Sequence, residues 1–184
     1  VSRILVAGIG NIFKGDDAFG VEVVRRLATR SLPSQAEVVD FGIRGIDLTY
    51  ALLGGFDAAI LVDTAKRGES PGTVTIVEPE RPSPEELVPE DLMLEPHDLD
   101  PAKVLRAVTA LGGECQRILL VACEPETFGD EEMGAMGLSL AVSGAVDRAA
   151  DAVERLVAEM IAQDVSPNTG KEQAAVGNVS GECE

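Results

Sequence analysis

The chain has 184 residues and a formal charge of −17, from 32 acidic and 15 basic residues with a single histidine. Nucleic-acid surfaces need clustered Lys and Arg to neutralise phosphates, so this balance excludes that class and disfavours anionic membranes as well. With 45% hydrophobic residues and no apolar run near the roughly 18 to 20 residues of a membrane span, the composition predicts one compact domain with a full core.

The stretch SRILVAGIG is short, apolar and rich in β-formers, and it predicts a buried first strand ending in glycines. A loop follows. From Asp16 onward Phe19, Val23, Val24 and Leu27 recur at helical spacing, which predicts an amphipathic helix to about Ser31. AEVVDFG reads as a second strand ending at Asp40 and Gly42, and GIDLTYALLGG, from Gly45, as a short helix closed by two glycines. FDAAILVDTA is the third strand, with Asp63 at its carboxyl end. GTVTIVE arrives after a polar turn too short for a parallel crossover, so it is expected to run antiparallel to its predecessor and make the sheet mixed.

PERPSPEELVPEDLMLEPHDL has no clear period, and loops of this length inside compact domains are usually functional or disordered; it carries His97. A helix is then expected with Asp100 as N-cap and Pro101 in its first position, running through Val104, Leu105, Val108 and Leu111 to Gly112 and Gly113. QRILLVAC is the fifth strand. LSLAVSGAVDRAADAVERLVAEMIAQ reads as one long closing helix, with Gly144 a minor weakness in it. The composition divides the chain into a domain over 1–163 and a disordered tail over 164–184. The fold class expected is α/β, a three-layer αβα sandwich with a mixed, mostly parallel sheet of about five strands.

Three cysteines, Cys115, Cys123 and Cys183, form no CxxC pair and leave an odd count, which suits a reducing compartment. The stretch VSRILVAGIG lacks the basic flank and cleavage site of a signal peptide, so a cytoplasmic protein is expected, with Cys115 and Cys123 in or near the core.

Ligands of such folds bind beyond the carboxyl ends of the strands. That edge should gather Asp16 and Asp17 after strand one, Asp40 after strand two, Asp63 after strand three, and the loop with His97. GIGNIFKGDDAFG, residues 8–20, has the glycines of a phosphate loop, but two adjacent carboxylates on its rim repel phosphate. Acids gathered at one edge repel one another unless a cation joins them. Two carboxylates and one imidazole form a three-ligand set with open positions, suited to nickel, zinc or another borderline divalent ion. Ordinary roles remain open for each residue: Asp16 and Asp17 suit the positive end of the following helix, Asp63 a strand-ending turn, and His97 a solvated loop. A Cys123–His97 nucleophile pair lacks an orienting third residue. A dinucleotide site, with Asp40 on a ribose, meets a Gly8, Gly10, Gly15 spacing that departs from G-x-G-x-x-G.

GIGNIFKGDDAFG, DFGIRG, ILVDTA and EPHDL, in that order on successive elements, resemble the hydrogenase maturation proteases, as does CEPETFG…MGLSL before the closing helix. The resemblance covers about residues 3–162 and implies a twisted mixed sheet of five strands between helices. It implies Asp17, Asp63 and His97 as metal ligands, Asp16 as a supporting acid, and Asp16 or Asp17 as the base, so that Asp16, Asp17 and Asp63 form the catalytic set. Gly8, Gly10 and Asn11 would shape the first loop, and Asp40, Gly42 and Gly45 would hold a facing loop close. Ala18 stands where many members have glycine. The implied activity is a nickel-dependent endopeptidase that trims the C-terminus of the NiFe hydrogenase large-subunit precursor, with nickel carried by the precursor and zinc or a similar ion able to occupy the site. A monomer is expected. The alternative is a non-catalytic nickel-checking chaperone of the same large subunit.

Overall fold

In a computed structural model of the protein, the residues described are 3–80, 82, 86–87, 101–113, 115, 117–129 and 134–165. The elements are β1 (Ile4–Ile9), a 3-10 turn (Gly15–Ala18), α1 (Phe19–Leu27), β2 (Ala36–Gly42), α2 (Gly45–Leu53), β3 (Ala58–Thr64), β4 (Val74–Val77), α3 (Pro101–Ala110), β5 (Arg117–Cys123), α4 (Leu140–Ser143) and α5 (Val146–Val165). The strands form one five-stranded sheet in the order β2-β1-β3-β5-β4. β1 pairs in parallel with β2 and β3, β3 in parallel with β5, and only β4 is antiparallel. This is the mixed, mostly parallel sheet expected.

Strand alternation divides the core in two. Ile4 and Val6 of β1, Ile60 and Val62 of β3, and Val121 and Cys123 of β5 face α1 and α5, where Phe19, Val23, Leu27, Val153 and Val157 complete the layer. Leu5, Ala7 and Ile9, with Ala59, Leu61 and Ile118, face α2 and α3 through Leu48, Leu52, Val104 and Val108. Each fully buried large side chain here contributes roughly 1.5–3 kcal/mol. The near-continuous burial of β1 and β3 follows from helices covering both faces.

Three details differ from the sequence reading. β4 has the antiparallel direction expected but pairs with β5, not with its predecessor β3. β5 is apolar on both faces and takes the slot beside β3, while the four-residue, half-exposed β4 takes the edge. The connection crosses the end of β5: the Ala65 N–H donates to the Cys123 carbonyl at 3.0 Å, and the Gly72 N–H to the Glu124 carbonyl at 2.8 Å. The first helix opens as a 3-10 turn and ends at Leu27, with the chain to Ser31 in tight turns such as Thr29 N–H to the Arg26 carbonyl at 3.1 Å. The closing helix is broken at Gly144 into α4 and α5. Arg148 completes that break, because its guanidinium donates to the Gly144 carbonyl at 2.7 Å and to the Gly72 carbonyl at 3.0 Å, so the carbonyl is taken out of the helix ladder and still satisfied.

α1 lies unusually close to the sheet. A Cβ on Gly20 would meet the Val62 carbonyl oxygen at 2.0 Å and that of Ile9 at 2.3 Å, and a Cβ on Gly8 would meet the Gly20 oxygen at 2.5 Å. Only glycine at both places lets the start of α1, and the 3-10 turn before it, sit over the ends of β1 and β3. The Asp100 cap, most of the connection that carries His97, and the tail beyond Val165 lie outside the described residues. Among the described residues no helix is long and apolar enough to cross a membrane.

Candidate functional site

The site begins where β1 ends. Gly8 pairs with Asp40 of β2 on one side and with Val62 of β3 on the other, and a register shift then sets Ile9 opposite Gly42. That bulge turns the DFGIRG loop toward the first loop, and the Gly10 N–H donates to the Gly42 carbonyl at 2.9 Å. Gly10 has φ +133, and a Cβ there would lie 1.7 Å from the Asp17 carbonyl oxygen. The chain therefore folds back on itself, with the Asp17 peptide resting on Gly10.

Asp17 is half-buried, and its Oδ2 accepts the Asn11 N–H at 2.9 Å. Asn11 in turn accepts the Phe13 N–H through Oδ1 at 2.9 Å. The Oδ1 atom of Asp17 has no hydrogen bond among the described residues. Asp63 follows Val62 and is 6% exposed, and its Oδ1 accepts the Thr64 N–H at 2.7 Å. Strand parity puts it on the α2/α3 face. The backbone thus brings Asp17 and Asp63 to the ends of two adjacent strands. His97 lies outside the described residues, among which no three His, Cys, Asp or Glu side chains form a metal-holding group.

Asp16 differs from its neighbour. It is 0% exposed, with Oδ2 accepting the N–H groups of Glu126 at 2.8 Å and Thr127 at 3.0 Å and Oδ1 accepting that of Ser139 at 2.7 Å. Burial works against the charged form, but the Thr127, Ser139 and Glu126 N–H groups and the Ser139 hydroxyl outweigh it and hold the carboxyl below its ordinary pKa. Both oxygens are committed. Of the two candidates for a base, Asp17 alone keeps an oxygen available.

The facing loop is stapled by a residue that sequence reasoning passed over. Arg44 donates to the Phe41 carbonyl through Nε at 3.1 Å and to the Asp40 carbonyl through Nη2, and it meets Asp47 at 3.4 Å. Asp40 itself is exposed, and Gly42 takes φ +55 in the turn. Gly45 is buried at the start of α2, where its carbonyl accepts the Thr49 hydroxyl at 2.9 Å. The signal available for Arg44 was its place in the DFGIRG motif. Glu124 was also missed: it is buried, accepts the Arg67 N–H at 2.7 Å, and has its pKa lowered first by that bond. Close by, the Lys66 ammonium stands 4.8 Å over the Phe128 ring.

Cys123 lies in the α1/α5 core, 0% exposed, its thiol pushed up to about 11 by burial and then by the Asp16 charge. It faces away from Asp63 across the sheet and cannot act as a thiolate nucleophile at neutral pH. Cys115 is likewise a buried core thiol.

Asp17, in the turn after β1, and Asp63, at the end of β3, each carry carboxylate oxygens of the kind divalent ions take. A family model described as hydrogenase maturation protease matches residues 21–156. Hydrogenase 2 maturation protease of Escherichia coli is 34% identical over 130 residues, covering 68% of this chain and 75% of that protein. Hydrogenase expression/formation protein HupD of Rhodobacter capsulatus is 32% identical over 156 residues, covering 84% of this chain and 71% of that protein. The solved structure of the hydrogenase maturating endopeptidase HybD from E. coli superposes with a TM-score of 0.66 at 27% identity, covering 86% of this chain and 93% of that one. By the family model and by these relatives, the chain belongs to the hydrogenase maturation protease family.

Proposed function

We propose that the protein is an endopeptidase that removes a C-terminal peptide from the large-subunit precursor of a NiFe hydrogenase once nickel is in place. Family membership supports the protease class. The observation that carries the reading to this site is Asp17, half-buried in the 3-10 turn after β1 with an oxygen that has no hydrogen bond among the described residues, while Asp63 ends the adjacent strand β3. In this reading nickel arrives with the substrate, and Asp17, Asp63 and His97 would hold it, as they would zinc or a similar ion. Such an ion, when bound, polarises a carbonyl and lowers the pKa of attached water. Asp63 is placed by β3 and holds its orientation through the Thr64 N–H. Asp17 presents Oδ1 to the substrate or to a proton, while Oδ2 stays on the Asn11 N–H. We infer a monomer, and a cytoplasmic location that suits the buried unpaired thiols of Cys115 and Cys123.

Intact mass of a candidate precursor, nickel-loaded and nickel-free, after incubation with the protein tests this. Loss of one C-terminal peptide from the loaded form alone is expected, and Asp17→Ala should slow that loss by roughly 100-fold or more. A stable complex with the loaded precursor and no cleavage would replace the reading with a nickel-checking chaperone.

A further inference from the structure

The 3-10 turn that carries Asp16 and Asp17 is only four residues long, begins at Gly15 with φ +53, and has no side-chain cap at Lys14. A single turn of this kind does not hold its shape alone. Its stability comes from the segment after β5. The Gly15 N–H donates to the Ala135 carbonyl at 2.8 Å and the Asp16 N–H to the Thr127 carbonyl at 3.1 Å, while the Ala135 N–H returns to the Phe13 carbonyl at 3.0 Å. Asp16 closes this lacing from inside, taking N–H groups from Glu126, Thr127 and Ser139, residues more than a hundred positions away. On that side Gly129, Gly134 and Gly137 all take positive φ, the left-handed backbone that glycine favours.

We propose that Asp16 is a positioning residue for Asp17: its buried carboxylate locks the turn against Glu126, Thr127 and Ser139, and so fixes where Asp17 presents its other oxygen. The proposal rests on the reading of Asp17 as a site residue, and it replaces Asp16 as a candidate base. Asp16 touches neither substrate nor metal. Asparagine cannot serve in its place, because one of its two terminal atoms is an NH2 donor that would face an N–H donor of Glu126, Thr127 or Ser139.

The test compares Asp16→Asn with a variant that destabilises the far edge of the molecule. Met160 is buried in α5 three residues before Gln163, which Arg117 at the start of β5 grips at 2.6 Å, so Met160→Ala weakens the core at the opposite end of the strands. The first readout is amide hydrogen exchange at Asn11, whose N–H reports the place of the Asp17 carboxylate. Asp16→Asn should speed this exchange about tenfold or more, while Met160→Ala, at a similar loss of thermal midpoint, leaves it within about twofold. The second readout is cleavage of the loaded precursor: kcat should fall roughly 100-fold with KM little changed in Asp16→Asn, and hold in Met160→Ala. Should Asp16→Asn fail to fold, Ser139→Pro serves instead, since Ser139 has φ −58 and proline there deletes the N–H and the hydroxyl that Ser139 gives to Asp16, along with its cap on the Val142 N–H, while leaving the Glu126 and Thr127 donors; it should shift both readouts the same way, by a smaller factor. Wild-type exchange at Asn11 in a folded Asp16 or Ser139 variant would overturn the proposal and leave Asp16 a stabilising residue only. A wild-type protein that cleaves no precursor would defeat the functional reading, while the exchange result still decides whether Asp16 places Asp17.

Discussion

Asp16 and Glu124 are both buried carboxylates gripped by backbone N–H groups at the carboxyl edge of the sheet, yet they hold different things. Asp16 draws its donors from Glu126, Thr127 and Ser139, two separate points of the segment after β5, and stands beside Asp17. Glu124 heads that same segment and takes its donors from the consecutive residues Arg67, Glu69 and Gly68 of the crossing after β3. One clasp therefore braces the candidate site. The other braces the crossing that carries the chain over β5 to edge strand β4. The same chemistry, a carboxylate that satisfies loop N–H groups, serves the site in one case and strand order in the other, and what decides between them is which loop supplies the donors.

The comparison predicts unequal costs. Asp16→Ala takes a fully buried carboxylate away from three part-buried N–H groups, and the expected loss is about 2 kcal/mol in urea unfolding. A loss under about 1 kcal/mol would mean that the segment after β5 holds without its inner clasp. Glu124→Gln should lower the thermal midpoint by less than Asp16→Ala and leave Asn11 exchange unchanged, because Glu124 takes its donors from the crossing after β3 and not from the 3-10 turn. Its pH dependence has a definite sign. The folded carboxyl lies below its ordinary value, chiefly through the Arg67 N–H, so its stabilising effect is complete above the unfolded pKa and disappears as pH falls through the folded one. The midpoint gap between wild type and Glu124→Gln should therefore stay constant from neutral pH to about pH 5 and close below about pH 4. A gap that persists in acid would show that the clasp works through shape alone.

The smallest effect is expected at Cys123, which lies beneath both clasps and belongs to neither. With the thiol raised to about 11 and fully buried, it should resist iodoacetamide at about pH 8 in the folded protein and react in urea. Cys123→Ala should retain precursor cleavage. Loss of cleavage without loss of folding would reopen a thiol role.

Much of this was written locally. The apolar runs of β1, β3 and β5 and the spacing of Phe19, Val23, Val24 and Leu27 reflect which faces each element must bury, and periodicity reads that directly. The positions of Asp17, in the turn after β1, and of Asp63, at the end of β3, were legible because the rule for parallel sheets points to the loops at that edge. The outcome at Asp16 was not legible. Two adjacent aspartates look alike in a sequence, and their difference arises from donors more than a hundred residues away. The place of β4 and the break at Gly144 had the same character, since the first depended on β5 being the better strand for a buried slot and the second on Arg148 reaching a freed carbonyl. Pattern and turn chemistry are properties of neighbours along the chain, so the sequence by itself determined the elements, the two buried faces and the edge where the acids collect. Which acid is spent on holding the fold and which is left with an oxygen to offer depended on long-range hydrogen bonds, and those exist only once the layers have packed.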